Sequence, residues 1–354
     1  MVQFRSLSLG LSLLGVLVVS GCVGTEGSKT VSGDGGDATQ SKLKVGIVFD
    51  KGGLGDKSFN DSAWRGVERA QTELGIELLK VESKSDSDYE SNVRTMAEEG
   101  SQLVIAVGLG MDQAVSAVAP DFPDTKFAIV DGDAKGDNVL NLKFKEEEGS
   151  FLVGYLAGLM TESGKVGFVG GMEIPLIKKF EAGYHAGVAT ANPNAAMLPV
   201  KYVGSWDDVD KGKANASVLF AEGADIVYHA AGRTGLGVIR AAKDSGKFAI
   251  GVDSDQDDIE PGTVLTSMVK RVDEAVFKTI QQVKDGKFEA GAILYSLKDN
   301  GVGTSELRFT KDKIGPEKLA KLDEVKAKIV SGEIVVPAST AELDTFLKAL
   351  KAGS

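Results

Sequence analysis

Short apolar runs alternate with segments of helical periodicity from residue 43 towards the C-terminus. Between these runs, apolar residues recur at helical spacing, as at Ala63, Val67, Ala70 and Leu74. Strands that are apolar at every position are covered on both faces, as in parallel sheets. The alternation therefore predicts an α/β fold with parallel sheets and right-handed crossovers. The predicted strands lie at 45–49, 103–107, 127–130, 166–169, 226–228 and 248–252.

The chain also contains an internal repeat. KVGIV at 44–48 reappears as KVGFV at 165–169, and KFAIVD at 126–131 reappears as KFAIGVD at 247–253. A third segment, 102–108 with its following helix, has its counterpart at 225–232. Because the copies keep the same order about 120 residues apart, they predict two similar doubly wound lobes rather than one long sheet.

The first 22 residues have the pattern of an export signal. Arg5 is the only charge before the apolar run 7–19, which is shorter than the about 20 residues of a membrane span and fits a secretory signal peptide over 1–21. Val19-Ser20-Gly21-Cys22 reads as a lipobox whose Cys22 receives diacylglycerol; the alternative is an ordinary signal peptide and an unmodified cysteine. The Gly- and Ser-rich segment 22–42 predicts a flexible tether. We therefore expect a lipid-anchored protein on the extracytoplasmic side of the cell membrane.

Charge and cysteine content restrict the partners. The net charge of −11 argues against binding to nucleic acid, which requires a basic surface. It also argues against binding to anionic lipids through a polybasic segment. Cys22 is the only cysteine, so an internal disulfide is excluded. The length after the tether suits two domains.

Several candidate ligand-binding residues stand at predicted strand ends, where open parallel sheets bind ligands. Asp131 and Asp253 occupy equivalent places in the repeat, and their carboxylates could hold ligand hydroxyls from the two lobes; the alternative for each is a helix cap or turn. Asp50 and Gly232 end two further strands. Gly232 also begins a Gly-rich turn that lacks the phosphate-binding pattern.

The loop DKGGLGDKSFND at 50–61 is the most unusual stretch of the chain. Ser58 or Asn60 could cap the helix that follows. Phe59 could stack on a flat ligand or instead act as a hydrophobic staple on that helix. Trp206 lies in a similar loop after a strand of the second lobe, where a ligand role and a structural role are both open.

The sequence gives little support for an enzyme active site or a metal-binding site. His185 and His229 are the only histidines, which disfavours a nucleophile–histidine–acid triad and a zinc site. The acids after Asp253 imitate a calcium loop, but Asp258 stands in place of its glycine and Val264 in place of its last glutamate. We expect no enzyme activity, no metal and no cofactor.

Three motifs resemble one known family. They are DKSFNDSA at 56–63, GFVGG at 167–171 with FEAG at 180–183, and GVDSDQ at 251–256. These residues are similar to the basic membrane protein (BMP) family of substrate-binding lipoproteins, over about residue 43 to the C-terminus. The resemblance implies the type I periplasmic-binding-protein fold. It also implies a role like that of the family's purine nucleoside receptor lipoprotein, which serves an ABC importer with its permease and ATPase.

The resemblance further implies roles for single residues. Asp50 and Asn60 would bind the base, and Phe59 and Trp206 would stack on it. Sugar hydroxyls would be held by Asp131, Asp253 and Lys270, with a solvated lysine as the alternative at position 270.

The implied fold crosses between its lobes three times. We place these crossings near 144–147, 256–261 and 285–297, which gives an N-terminal lobe of 43–145 and 257–290 and a C-terminal lobe of 146–256 and 291–354. The helices expected near 316–330 and 341–350 should pack on the second lobe.

The leading hypothesis is a purine nucleoside receptor of an ABC importer. The alternatives are a sugar receptor of the same fold, a nucleoside hydrolase, disfavoured by the lack of clustered acids, and a transcription regulator, disfavoured by the lipobox.

Overall fold

The computed structural model describes residues 42–352. The predicted signal peptide, Cys22 and nearly all of the predicted tether lie outside the described residues. Within them, two sheets lie at the centres of two lobes. The strands of the first sheet are β1 (Lys44–Phe49), β2 (Glu77–Glu82), β3 (Leu103–Val107), β4 (Lys126–Val130), β5 (Val139–Phe144) and β12 (Gly291–Tyr295). Those of the second are β6 (Lys165–Gly170), β7 (Ala196–Met197), β8 (Lys201–Tyr202), β9 (Ile226–Ala230), β10 (Phe248–Asp253), β11 (Val264–Lys270) and β13 (Val302–Thr304).

Both sheets have the same core strand order. The first runs β12-β5-β4-β3-β1-β2, and the second runs β13-β11-β10-β9-β6-β7 with β8 also beside β6. Every pair between described strands is parallel except β11 with β13. Since β1, β3 and β4 match β6, β9 and β10 in order, the internal repeat corresponds to two lobes of one topology. The predicted parallel α/β architecture is confirmed.

Helices cover the faces of both sheets. They are α1 (Phe59–Leu74), α2 (Tyr89–Glu98), α3 (Asp112–Val118), α4 (Glu146–Met160), α5 (Pro175–Ala191), α6 (Val209–Ala221), α7 (Gly235–Asp244), α8 (Val272–Lys284), α9 (Lys311–Ile314), α10 (Pro316–Ser331) and α11 (Thr340–Ala352). Short 3-10 turns cover Asp86–Asp88, Leu109–Met111, Ala119–Asp121 and Gly232–Thr234. As expected, the last two helices pack on the second lobe, α10 against α4 and α11 against α5.

The chain changes lobes at positions that only partly match the expectation. The first crossing, between β5 and α4, lies at the expected place. The second was expected at 256–261, but β11 pairs with β10, and only α8 returns to pack on α1 of the first lobe. The third follows β12, because β12 pairs with β5. The expected boundaries at 257 and 291 are therefore wrong: β11 belongs to the second sheet and β12 to the first. Sheet membership depends on the partner strand, which local composition does not reveal.

Candidate functional site

The carboxyl ends of strands from both sheets border one cleft between the lobes. The cleft holds a cavity of about 330 Å³, a size suited to a small organic ligand. Every ligand-binding candidate from the sequence lines it: Asp50, Phe59, Asn60, Asp131, Trp206, Gly232, Asp253 and Lys270. The fold thus brings together residues that are far apart in the chain.

The N-terminus of α1 is held by an aspartate that the sequence reasoning did not name. Neither Ser58 nor Asn60 caps the helix with its side chain, so that expectation is wrong. Instead, the buried Asp56 carboxylate accepts the backbone N–H groups of Ser58 and Asn60, each at 2.8 Å. The cap fixes the first turn of α1, which carries Phe59 and Asn60, at the edge of the cavity.

The Asn60 side chain binds two carboxylates through its amide nitrogen. Its Nδ2 donates to Asp50 Oδ1 at 3.0 Å and to Asp56 Oδ2 at 3.2 Å. Its Oδ1 is buried and has no hydrogen-bond partner within residues 42–352. Burial raises the pKa of Asp50, and the hydrogen bonds from Asn60 and Gly52 oppose that rise. A buried acceptor without a partner is costly, so this atom calls for a donor from outside the described chain.

Asp131 and Asp253 occupy the same place in the two lobes. Asp131 directly follows β4 and Asp253 ends β10, the matching strand of the second lobe. Their φ angles of 65° and 63° lie in the left-handed region. No helix follows either residue directly, so the helix-cap alternative does not apply. Asp253 Oδ2 accepts the Ser58 hydroxyl at 2.5 Å, whereas Asp131 Oδ1 is buried without a partner among the described residues.

Lys270 lies at the centre of a buried charge cluster. Its Nζ is 2.6 Å from Asp131 Oδ2 and 2.9 Å from Glu146 Oε1. The side chain is 1% exposed, so the alternative of a solvated lysine is wrong. The ammonium also lies within 6 Å of the ring centroids of Phe59, Phe144 and Phe180, a geometry that stabilises a cation.

The pKa values of Asp131, Asp253 and Lys270 are all raised, the acids by burial and the lysine by its carboxylate neighbours. Burial raises the pKa of Asp131 to about 6 against the opposing effect of Lys270. Burial likewise raises the pKa of Asp253 to about 7. For Lys270, burial alone would lower the pKa, but the carboxylates of Asp131, Glu146 and Asp253 outweigh it and raise the pKa. The carboxylates of Asp131 and Glu146, at 2.6 and 2.9 Å from its Nζ, therefore favour the charged form of Lys270.

Aromatic rings line both lobes of the cavity. Phe59, the first residue of α1, borders the cavity and also packs partly against the hydrophobic core. Trp206 lies against Gly171, where an added Cβ would come within 2.4 Å of the indole ring. Phe180 of α5 lines the same cavity and is almost fully buried. The cavity therefore offers flat apolar surfaces as well as carboxylates.

Two sets of contacts join the lobes around the loop 50–61. Arg233, next to Gly232, donates from Nη2 to the carbonyl oxygens of Leu54 at 2.6 Å and Gly52 at 3.3 Å. Ser254 donates to the carbonyl oxygen of Ser58 at 2.8 Å. Gly232 itself has a φ of 55° and begins a 3-10 turn, in agreement with the Gly-rich turn predicted there.

Sequence reasoning missed several residues of the site: Asp56, Glu146, Phe180 and Arg233. The one local signal was the acidic run 146–148 at the start of an otherwise apolar helix, where all three glutamates are buried. Burial of three adjacent acids requires nearby cations or donors. Lys270 and Lys179 supply them to Glu146, at 2.9 and 3.2 Å.

Residues 42–352 contain no group of three or more histidine, cysteine, aspartate or glutamate side chains arranged to hold a metal ion. The basic side chains that line the cavity are Lys51, Arg233 and Lys270.

Residues 43–340 match the model of a protein family described as Bmp, ABC transporter substrate-binding protein PnrA-like. The match covers both lobes and the whole cleft. The chain belongs to this family. The Bmp family comprises substrate-binding proteins of ABC transporters and is not a class of enzymes. The fold and family implied by the three sequence motifs are thereby confirmed.

Relatives and solved structures agree with membership of the Bmp family. A CD4+ T-cell-stimulating antigen of Listeria innocua is 38% identical, covering 94% of this chain and 98% of the relative. The ABC transporter nucleoside-binding protein BmpA of Lactococcus lactis is 34% identical, covering 92% and 97%. An ABC transporter solute-binding protein from Aeropyrum pernix superposes with a TM-score of 0.77 at 31% identity, covering 88% and 98%. The chain has the type I periplasmic-binding-protein fold. In residues 42–352, no helix is both long and apolar enough to cross a membrane.

Proposed function

We propose that this Bmp-family protein is a lipid-anchored receptor on the extracytoplasmic side of the membrane. It binds a purine nucleoside in the interlobe cleft and presents it to the permease and ATPase of an ABC importer. The cleft binds and orients its ligand without changing it, since family membership points to transport rather than catalysis.

The observation that carries the proposal is the mixture of groups in one cavity. Two buried acceptors, Asn60 Oδ1 and Asp131 Oδ1, lack partners within the described range, and both residues line the cavity beside aromatic rings. A nucleoside matches this mixture, because its base offers a flat face and N–H donors while its ribose offers hydroxyl donors. The nucleoside-binding relative from Lactococcus lactis supports the same ligand class.

Each predicted residue has a role in this proposal. Asp50 and Asn60 accept from the base edge, and Phe59 and Trp206 contact the base faces. Asp131, Asp253 and Lys270 bind the ribose hydroxyls, the two acids as acceptors and the lysine as a donor. Gly232 permits the close approach of backbone to ligand that its left-handed φ allows.

Mass spectrometry of the small molecule that copurifies with the protein tests this proposal. We expect a purine nucleoside at up to one equivalent, and chromatography after long incubation with inosine should recover it intact. A copurified hexose would instead favour the sugar receptor, to which the same acids are suited. Free base and ribose released in proportion to protein would show a hydrolase and contradict the receptor.

A further inference from the structure

The orientation of the Asn60 amide is fixed by its neighbours. Asp50 Oδ1 accepts the Gly52 N–H at 2.9 Å, and Asp56 Oδ2 accepts the Asn60 N–H at 2.8 Å. These two carboxylate oxygens are therefore acceptors, and the side of the amide that faces them must be the Nδ2 donor. The amide oxygen consequently faces away from both carboxylates, and it is the buried atom without a partner among residues 42–352.

The neighbouring carboxylate adds a second acceptor. The hydrogen bonds that Asp50 receives from Asn60 and Gly52 both end on Oδ1. Its other oxygen, Oδ2, lies beside Gly108, which also lines the cavity and has a φ of 117°. A Cβ at position 108 would come within 3.1 Å of Oδ2. Asp50 and Asn60 both line the cavity. Of their side-chain oxygens, Asp50 Oδ2 and Asn60 Oδ1 are the two that accept none of the hydrogen bonds described above.

We infer that the cleft selects purine nucleosides whose base edge carries two adjacent N–H donors, so that guanosine binds more tightly than inosine and inosine more tightly than adenosine. This inference rests on the proposed nucleoside function. Guanine carries N1–H beside its 2-amino group, hypoxanthine carries only N1–H, and adenine places the acceptor N1 beside its amino group. Asp56 acts as a positioning residue, because it holds the amide in the orientation that creates this preference.

A titration series of five nucleosides tests the inference on the parent protein. We expect guanosine to bind at least about 10-fold more tightly than adenosine, since a mismatched base leaves a buried acceptor without a donor. 1-Methylguanosine, which lacks N1–H, should bind about 10-fold or more weakly than guanosine. 7-Deazaguanosine, which keeps both donors, should bind like guanosine. Equal binding of guanosine and adenosine, or of guanosine and 1-methylguanosine, would overturn the inference while leaving the nucleoside receptor intact.

Two variants connect the preference to the amide. In Asn60→Ala the acceptor is gone, and the ratio of guanosine to adenosine affinity should fall several-fold. Asp56→Asn releases the amide and should lower the same ratio even though residue 56 is not the partner of the base. Asp61→Asn is the matched control, because it makes the same change in the same loop at a side chain bonded only to the backbone N–H groups of Gly55 and Lys57.

Thermal unfolding confirms that each variant is folded before its ratio is measured. An unchanged ratio in Asn60→Ala would contradict the assignment of the acceptor to Asn60. An unchanged ratio in a folded Asp56→Asn would remove Asp56 from the mechanism. A failure of all five nucleosides to bind the parent protein would overturn the proposed function together with this inference.

Discussion

Single residues of the cleft have half of their hydrogen-bonding capacity already used within the chain. Asn60 donates through Nδ2 and Asp131 binds Lys270 through Oδ2, while Oδ1 of each has no hydrogen-bond partner between residues 42 and 352. Side chains held on one side and unpaired on the other are pre-organised, so a ligand need not order them on binding. In the proposed nucleoside complex, the residues that contact the base differ from those that contact the sugar.

Replacing one residue of each kind distinguishes the two roles. Phe59→Ala should weaken guanosine by about 5- to 150-fold through loss of a stacking face, and it should weaken 2′-deoxy and 3′-deoxy analogues by the same factor. Asp131→Ala should weaken the ribonucleoside by a similar factor, because it strands a ribose hydroxyl in the cleft. Its effect should shrink for the analogue that lacks the bonded hydroxyl. Calorimetric titration measures both factors, and identical losses for every ligand in Asp131→Ala would contradict the ribose role.

The raised pKa of Asp253 predicts a pH dependence of stability. Burial raises this pKa from 3.8 to about 7 in the folded protein. Between these values the folded state holds the proton that the unfolded state releases, so the residue destabilises the fold increasingly as pH rises from about 4 to 7. Asp253→Asn removes this effect, and its amide oxygen can still accept from Ser58. Its free energy of unfolding relative to the parent should therefore rise by at least about 1 kcal/mol between pH 4.5 and 7.5.

Urea unfolding of both proteins at these two pH values measures the difference. Groups other than Asp253 are present in both proteins, so their titration largely cancels. A difference that stays constant from pH 4.5 to 7.5 would show that Asp253 has an ordinary pKa in the folded state.

The eight ligand-binding candidates all line the cavity. Asp131 and Asp253 were found from local signals, because they end strands of the repeat, whereas Lys270 was named only through the family resemblance. Glu146 and Asp56 were missed for a different reason. Their importance comes from Lys270 and from backbone N–H groups, which approach them only in the folded chain. A prediction from the sequence identifies residues placed at an element's end, whereas partners across elements require the tertiary structure.

At the scale of elements, strands covered on both faces were the easiest to predict. β3 is buried at all five positions and was predicted with its observed limits. In contrast, β2 is partly exposed and β12 is an edge strand with Leu294 half exposed, and neither shows the apolar run of a central strand. The missed sheet membership of β11 moved the second expected crossing, and that of β12 moved the expected lobe boundary at 291. A crossing is defined by which strand the next segment pairs with, which is a long-range property.

The contact between α4 and α5 predicts the effect of one glycine. A Cβ at Gly183 of α5 would lie 2.2 Å from the carbonyl oxygen of Glu147 at the start of α4. Helix propensity alone favours alanine over glycine by about 1 kcal/mol, but this backbone clash forces the helices apart. Gly183→Ala should therefore lower the free energy of unfolding by about 1–3 kcal/mol.

Denaturant unfolding measures that loss, with Gly303→Ala as the control. At Gly303 an added Cβ meets no atom within 4 Å, so this variant should unfold within about 0.5 kcal/mol of the parent. A stabilised Gly183→Ala would show that α4 and α5 are not in close backbone contact.

At the scale of the whole molecule, the two lobes form one binding unit. The cavity takes Asp50 and Asp131 from the first lobe and Trp206 and Asp253 from the second. Contacts from Arg233 and Ser254 to the loop 50–61 hold the lobes together around it. Since neither lobe carries all the groups that a nucleoside requires, binding and lobe closure should occur together.

The proposed anchor is separable from this binding unit. Cys22→Ser should leave the affinity for nucleoside unchanged, because the cleft is formed by residues that follow the predicted tether. Fractionation of cells should find the exported variant in the aqueous fraction and the parent in the membrane fraction. A variant that is exported and still sediments with membranes would contradict lipidation at Cys22.

The most direct test of the nucleoside receptor is calorimetric titration of the ligand-free protein with guanosine, inosine, adenosine, glucose and galactose. We expect saturable binding of purine nucleosides at one site per chain, no heat of binding from either hexose, and recovery of intact nucleoside from the cell afterwards. Saturable binding of a hexose without binding of any nucleoside would contradict the account.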